Sequence, residues 1–199
     1  MIENPSGYPA TLVFNPPEKI ANWRPLVQWL LALPHSLIVQ VLGRVSQIIA
    51  IISWFAIVFT GKIPEGLAGV QMMYIRYETR TYSYVGFLRE EYPPFTFATT
   101  AADPLDDPRV RVDFQPQLTD RNRVTVFFRI FLMIPHLIAL AVLGVAAFVV
   151  YVIAWFAVLF TGRFPEGMRN FVLGVMRWYV RLSSYSLLLH DVYPPFSLD

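Results

Sequence analysis

The sequence predicts an all-α membrane protein made of two pseudo-symmetric repeats. Hydrophobic residues make up 55% of the 199 residues and charged residues only 15%, with a mean hydropathy of +0.47. Soluble domains carry about 25% charged residues, so this composition is typical of a membrane protein. The chain also matches itself at one fixed offset, and each half contains one long apolar run.

The internal repeat has an offset of 101 residues. "FTGKIPEG" from Phe59 matches "FTGRFPEG" from Phe160, and "YPPF" from Tyr92 matches "YPPF" from Tyr193. Repetition at one offset over this distance indicates two copies of one structural unit. The same offset pairs His35 with His136, Arg76 with Arg177, and Arg80 with Arg181.

We assign the first unit to residues 1–97 and the second to residues 109–199, joined by a linker over 98–108. The linker is small and polar, and Pro104 and Pro108 interrupt regular structure in it. Each unit begins with a short alternating stretch, "TLVF" or "VRVDF", which predicts a brief strand. We expect these two strands to pair with each other across a pseudo-two-fold axis.

Each unit contains an apolar run, 22–60 in the first and 122–161 in the second. From Pro25 to Thr60 the only charged residue is Arg44. One helix over that stretch would be about 54 Å long, whereas a membrane crossing needs about 20 residues. The run is therefore too long for one straight span.

Two arrangements of the apolar runs remain open. In one, Pro34 and Pro135 each end a short interfacial helix, and one spanning helix follows. In the other, each run is a kinked hairpin that turns near Gly43 and Gly144. The hairpin places fifteen basic residues on one side of the membrane and only Arg44 on the other, which the positive-inside tendency favours. We therefore predict a hairpin in each unit.

A third segment of each unit, 65–90 and 166–190, predicts an amphipathic helix. Its apolar and aromatic residues recur at alternating steps of three and four. This pattern is typical of a helix at a membrane interface, and packing of the stripe on the hairpin or on the other unit is the alternative. The preceding "TG(K/R)xPEG" predicts a helix stop and restart, with Pro at the new start and Glu at the positive helix end.

Basic residues beside these segments are candidates for contacts with lipid headgroups or with a partner protein. Arginine offers a charge and bidentate donors to a phosphate group. Pairing with nearby acids such as Glu78 or Glu90 is the alternative. The six candidates are Arg76, Arg80, Arg177, Arg181, Lys62 and Arg163.

His35 and His136 are the candidates for a ligand site, because ionisable residues within apolar segments are often functional. If the pseudo-two-fold axis brings them face to face, two neutral imidazoles could ligate a haem iron or another metal. We nevertheless expect no cofactor and assign no metal ligand, since no carboxylate stands at ligand spacing nearby. The chain has no cysteine, Ser-His-Asp spacing, Walker loop, GxGxxG or HExxH, so no catalytic residue is assigned.

The pattern "PH…WFA(I/V)xFTG(R/K)xPEG…R(W/Y)xxR…YPPF" resembles the bacterial membrane family called domain of unknown function 4389. The resemblance covers both units, and the second is the closer match. The first unit has Tyr77 where the pattern has Trp, and it carries polar Arg44, Ser46 and Gln47 in its apolar run. The resemblance implies an integral membrane module and carries over no catalytic residue.

These observations predict a non-catalytic integral membrane scaffold or accessory subunit, which packs against another membrane protein complex or organises lipid. One alternative is a small oligomeric transporter or channel, whose path only Arg44 and the two histidines could line. The other is a haem- or metal-binding redox subunit that uses His35 and His136.

The expected partners are membrane lipids and another integral membrane protein. Nucleic acid is not expected, because no basic run is dense enough to bind it. No cleavable signal peptide is predicted. The expected location is the bacterial inner membrane, with several crossings and with basic loops and interfacial helices on the cytoplasmic face.

Overall fold

The computed structural model describes residues 7–199. Within this range each unit contributes one strand and three helices. The elements are β1 (Ala10–Phe14), α1 (Arg24–Leu31), α2 (Leu33–Thr60), α3 (Glu65–Val85), β2 (Val110–Phe114), α4 (Arg123–Phe127), α5 (Arg129–Thr161) and α6 (Glu166–Ser186).

The two predicted strands form an antiparallel ribbon, with Leu12 opposite Val112 at its centre. Alternate residues of each strand are buried, as a half-covered ribbon requires. One strand comes from each unit, so the ribbon joins the two units. The prediction of paired strands at the start of each unit is confirmed.

The predicted hairpin turns at Gly43 and Gly144 are wrong, because both glycines lie inside continuous helices. Gly43 serves a close approach instead of a turn, since a Cβ there would lie 3.4 Å from the Tyr74 hydroxyl oxygen. A glycine inside a helix costs only about 1 kcal/mol relative to alanine, which leaves the helix intact. Each apolar run is one short helix followed by one long helix, close to the alternative left open by the sequence.

The two prolines do not end the short helices as that alternative required. Pro34 lies in the first turn of α2, where a proline is tolerated because its missing N–H would have no helical partner. Pro135 lies inside α5. The chain instead breaks at Ala32 in the first unit and at Phe128 in the second.

The repeated "TG(K/R)xPEG" motif forms the true hairpin of each unit, between α2 and α3 and between α5 and α6. Gly61 and Gly162 end the long helices with φ values of 72° and 67°, a left-handed conformation that glycine adopts without strain. Pro64 then precedes α3, and Glu65 lies in its first turn. The predicted stop and restart are confirmed.

Helices α3 and α6 form the centre of the molecule and do not lie on its surface. Each packs along the long helix of its own unit, they pack on each other, and the ribbon covers them from the far side. Most side chains of α3 are buried, including those of Arg76, Glu78 and Arg80. The predicted interfacial position of these helices is wrong, and the alternative of packing within and between the units is correct.

The units exchange contacts reciprocally through two tryptophans. The Trp54 indole donates to the Val126 carbonyl at 3.1 Å, and the Trp155 indole donates to the Pro25 carbonyl at 3.0 Å. The two donors are one repeat offset apart in the sequence, and so are the two acceptors. The end of each long helix therefore lies beside the start of the other unit.

Backbone hydrogen bonds repeat the same exchange. The Ile20 N–H donates to the Gly162 carbonyl at 2.8 Å, and the Arg121 N–H donates to the Gly61 carbonyl at 3.1 Å. Because each long helix ends where the other unit begins, α2 and α5 run in opposite directions. The pseudo-two-fold axis is therefore perpendicular to both long helices.

Candidate functional site

Arg76 and Arg80 are buried and do not reach a lipid headgroup. Their side chains are 3% and 2% exposed, and both form ion pairs with buried Asp103, at 3.2 and 2.9 Å. Arg76 also donates to the carbonyls of Ala98 and Val112. The predicted headgroup contact is wrong for these two arginines, and the alternative of pairing with acids is correct, although the acids are not those named from the sequence.

The segment 98–108 has no helix or strand, as expected of a linker, yet it is part of the core. Asp107 pairs with Arg89, and both side chains are fully buried. Asp106 is partly exposed and lies 2.8 Å from Arg80. The aspartates of this segment therefore hold the connection between the units against α3.

The second unit stabilises its arginines differently. Arg181 is buried and donates to the carbonyls of Ser197 and Asp199. Arg177 is half-buried and takes part in none of the ion pairs of the described range. Arg181 is thus unsuited to the predicted headgroup contact, and for Arg177 that contact stays a prediction.

Gln28 and Arg129 occupy equivalent positions and bind equivalent carbonyls. The Gln28 amide donates to the carbonyls of Tyr84 and Arg89, and the Arg129 guanidinium donates to those of Tyr185 and His190. Both side chains lie at the start of an apolar run and are buried. This anchor fixes the turn after α3 or α6 to the start of its own unit.

Asp191 extends the anchor of the second unit into an ion cluster. It accepts from Arg121 at 2.7 Å, from Arg129 at 2.6 Å and from the Asn122 N–H at 2.7 Å. Burial acts to raise the pKa of Asp191, but these hydrogen bonds and charges hold it below its ordinary value. Neighbouring His190 is buried beside the same arginines, and burial followed by their charges lowers its pKa to about 3. His190 is therefore neutral, and its Nε2 bonds the Ser184 hydroxyl at 2.9 Å.

His35 and His136 lie in separate aromatic pockets, each formed by its own unit. The His35 ring stacks on Phe95 at 4.3 Å and bonds the Tyr77 hydroxyl at 2.6 Å. The His136 ring stacks on Phe196 at 4.0 Å and accepts from the Trp178 indole at 3.0 Å.

The structure does not bring the two imidazoles face to face as the haem or metal alternative required. Within residues 7–199 no group of three or more His, Cys, Asp or Glu residues stands at metal-binding distance. The Nε2 atoms of both rings are buried without a hydrogen-bond partner. In both units Nδ1 of the histidine bonds the polar group of an aromatic side chain, Tyr77 of α3 or Trp178 of α6. Each histidine thereby positions that helix against the long helix of its unit.

Glu78 lies on the pseudo-two-fold axis, where it contacts Tyr179, the residue at its own equivalent position. It accepts from the Tyr74 hydroxyl at 2.7 Å and from the Tyr179 hydroxyl at 3.1 Å. Burial raises the pKa of Glu78, and the two tyrosine hydrogen bonds oppose that shift only in part. Within residues 7–199 Glu78 thus forms no ion pair with an arginine, although it lies at the contact between α3 and α6.

Helices α2 and α5 each present an exposed face that is mainly apolar and that exposed Arg44 interrupts near the middle of α2. Both are long and apolar enough to cross a membrane. The most apolar 18-residue stretch has a mean hydropathy of 1.9 in α2 and 2.9 in α5, and only 17% and 11% of these stretches is buried. Phe59 and Phe160, at equivalent positions, are 72% and 76% exposed. A core helix of a soluble protein would bury such residues, so this face is suited to contact with a membrane or with a partner protein.

The ends of this face carry exposed basic residues. Lys62 follows α2, and Arg163 follows α5 at the equivalent position. Arg123 lies beside Lys62, since a Cβ on Gly61 would lie 3.3 Å from its guanidinium. None of the ion pairs within the described range involves these three side chains. Lys62 and Arg163 therefore remain available for the predicted headgroup contact, which stays a prediction.

A cavity of about 640 Å³ lies between α3, α5 and α6. Its lining is mainly apolar and includes Gly144, Ala147, Val172, Val175 and Met176. None of the lining residues belongs to the ribbon. The cavity thus lies on the side of the central helices that faces the long helices.

The residues that sequence reasoning missed are Asp103, Asp107, Gln28 and Asp191. Asp103 and Asp107 lie in the segment 98–108, where Pro104 and Pro108 predict a linker, and nothing in that pattern indicates buried ion pairs. A signal was present for Gln28, because a lone amide opening an apolar run requires a buried partner.

The family model for the domain of unknown function DUF4389 matches residues 22–96 and 123–197, in agreement with the two tandem copies indicated by the sequence. The first match begins just before α1, the second begins at the first residue of α4, and each includes the aromatic pocket of its histidine. No curated protein and no solved structure matches the chain. Since the two matches cover most of the chain, the protein belongs to the DUF4389 family and contains two tandem copies of its domain.

Proposed function

We propose that the chain is a non-catalytic membrane scaffold whose α2 and α5 face is embedded in lipid. The observation that carries this proposal is the exposed apolar stripe along two helices of 28 and 33 residues. Covering apolar surface stabilises by about 25 cal/mol per Å², so a face of this size in water would strongly favour association. Lipid is the occupant that the basic residues at both ends of the face favour.

The internal polar clusters support a structural role for the charged residues. Buried Arg76, Arg80 and Arg129 are used to hold loops and helix ends within the chain. Buried charges of this kind are tolerated only when they are paired and hydrogen-bonded. Their partners are aspartates and backbone carbonyls of the same chain, including the Val112 carbonyl of the other unit, which supports a scaffold.

The fold favours helices that lie along the membrane over helices that cross it. Thr99 is exposed and not helical, and it touches α3 at Gly69, where a Cβ would lie 3.0 Å from the Thr99 carbonyl oxygen. Nearby on α3, Gln71 bonds the Ser46 carbonyl at the middle of α2. If α2 stood upright in a bilayer, exposed irregular backbone would therefore lie at mid-membrane depth, where its polar groups would lack water.

A flat arrangement removes this conflict. The apolar face of α2 and α5 enters one leaflet, and the ribbon on the far side of α3 and α6 stays in water. The axis perpendicular to the long helices then stands along the membrane normal, and Lys62 and Arg163 reach the same layer of headgroups. We therefore favour attachment to one leaflet over the several crossings predicted from the sequence.

The proposal is tested by flotation with liposomes and by purification in mild detergent, with mass spectrometry of everything that stays bound. A lipid-embedded scaffold floats with the liposomes and retains lipid. A stoichiometric membrane protein would instead identify the predicted accessory-subunit role. A chain that stays at the bottom of the gradient and retains no lipid would contradict the proposal.

A further inference from the structure

We propose that the cavity between α3, α5 and α6 binds a single linear alkyl chain, either the acyl chain of a phospholipid or that of a free fatty acid. The phospholipid source rests on the membrane scaffold proposed above, whereas the fatty-acid source does not. The cavity of about 640 Å³ lies within the range of about 300–1,000 Å³ that is typical of small-ligand sites. Its mainly apolar lining suits a hydrocarbon chain.

The repeat shows that the cavity is specific to the second unit. In the first unit the corresponding space contains the Tyr74 ring, which packs on Gly43. In the second unit the equivalents are Val175 and Gly144, and a Cβ on Gly144 would meet no atom within 4 Å. Replacement of a tyrosine by a valine at one repeat position thus leaves the second unit open.

A second pair of positions repeats this difference. In the first unit Gln71 and Ser46 bond each other across the space between α2 and α3, with the Gln71 amide 2.9 Å from the Ser46 carbonyl. The second unit has Val172 and Ala147 at these positions, and both line the cavity. Two polar contacts that close the first unit are therefore replaced by apolar walls in the second.

Two tyrosine hydroxyls provide the polar contacts of the site. Tyr82 and Tyr151 line the cavity, and neither hydroxyl has a hydrogen-bond partner within residues 7–199. A tyrosine hydroxyl that bonds nothing in the protein can donate to an ester or carboxylate oxygen at the head of an alkyl chain. Gly86 allows Tyr151 to take its place, since a Cβ there would lie 2.7 Å from the Tyr151 hydroxyl oxygen.

The experiment uses the full chain in liposomes that contain a phospholipid with a diazirine on its acyl chain. A parallel sample in detergent receives a diazirine-bearing palmitate. After photolysis, mass spectrometry locates the labelled residues. We expect both probes to label cavity residues such as Met176 and Tyr179, and the phospholipid in liposomes to label the exposed stripe of α2 as well.

Two variants fill the cavity. Val175→Tyr copies the first unit, and Gly144→Leu adds a side chain where open space stands. Each should reduce cavity labelling by about tenfold or more, because a misfit of even one methylene in an apolar pocket changes affinity by about 10–200-fold. Val192→Tyr, at an exposed position, is the matched control and should label like the native chain. Circular dichroism and the thermal midpoint confirm that each variant folds.

The outcomes separate the site from the scaffold. Absence of labelling at the cavity residues, or cavity labelling that is unchanged in two folded filling variants, overturns the alkyl-chain site while flotation still supports the scaffold. Palmitate labelling of the cavity in a chain that does not float would support the site and contradict the scaffold. Phospholipid labelling without palmitate labelling identifies the bilayer as the source of the chain.

Discussion

The two repeat units share one backbone arrangement and stabilise it with different side chains. Arg80 in the first unit pairs with aspartates of the connecting segment, whereas its equivalent Arg181 bonds backbone carbonyls near the end of the chain. Gln28 and Arg129 bind the same pair of carbonyl positions with different chemistry. The repeat therefore preserves the two backbone carbonyls that Gln28 and Arg129 bind, whereas Arg80 and Arg181 are paired with different kinds of acceptor.

Asp103→Asn breaks the ion cluster that Asp103 forms with Arg76 and Arg80. Arg76 and Arg80 would then stay buried without the carboxylate that they share. This should lower the free energy of unfolding by about 3–5 kcal/mol. Chemical denaturation in detergent measures this loss. Asp106→Asn, at a side chain that is 26% exposed, is the matched control and should cost about 1 kcal/mol or less. Equal losses in the two variants would contradict the buried cluster.

Arg129→Leu and Arg129→Gln test whether the anchors of the two units are interchangeable. Leucine leaves the carbonyls of Tyr185 and His190 without a donor and should cost about 2–3 kcal/mol. Glutamine copies Gln28 and should cost less than leucine, about 1–2 kcal/mol, since it keeps a donor for the carbonyls but loses the contacts with Asp191 and with the Tyr185 ring. The same denaturation measurement applies. A glutamine variant as unstable as the leucine variant would show that the charge matters more than the carbonyl contacts.

Gly86→Ala tests the contact between the end of α3 and α5 of the other unit. Its Cβ would lie 2.7 Å from the Tyr151 ring, so the ring must move at a cost of about 1–2 kcal/mol. The thermal midpoint should fall accordingly. Gly66→Ala is the control, because a Cβ there meets no atom within 4 Å. If both variants have the native midpoint, Tyr151 is not held as described.

Glu78→Gln tests the acid on the pseudo-two-fold axis. The folded pKa of Glu78 is raised above its unfolded value of about 4.3, so the native state retains a proton that the unfolded state releases as pH rises. Stability is therefore lost from about pH 4.3 up to the folded pKa. The glutamine variant should escape this loss and gain on the order of 1 kcal/mol at neutral pH. Unfolding measured across pH detects it, with exposed Glu18→Gln as control, and a native-like pH dependence of the variant would refute it.

The local features of the fold were predictable because their causes are local. The glycine and proline of "TG(K/R)xPEG" impose a helix stop and a restart wherever they occur, and the alternation of "TLVF" imposes a strand. The hairpin prediction failed because the charge count assumed that the apolar runs cross a membrane. A run that lies along a membrane also keeps its basic residues on one side, so the count could not separate the two arrangements.

The candidate site was less predictable because its partners are distant in the sequence. Arg76 and Arg80 carry the same letters whether they face lipid or Asp103, and only the folded chain brings residue 103 onto α3. The cavity is open because Val175 has no ring, whereas Tyr74 has one at the equivalent position. The sequence shows this difference, but its consequence is visible only once the structure shows that Tyr74 packs on Gly43.

Attachment to one leaflet is tested most directly by cysteine labelling, since the chain has no native cysteine. Lys62→Cys and Arg163→Cys place one thiol at the exposed end of each long helix. A membrane-impermeant maleimide is added to intact vesicles of known sidedness, and then to vesicles opened with detergent. The account predicts that both cysteines are labelled from the same side. Labelling from opposite sides would show that α2 and α5 cross the membrane in opposite directions and would contradict it.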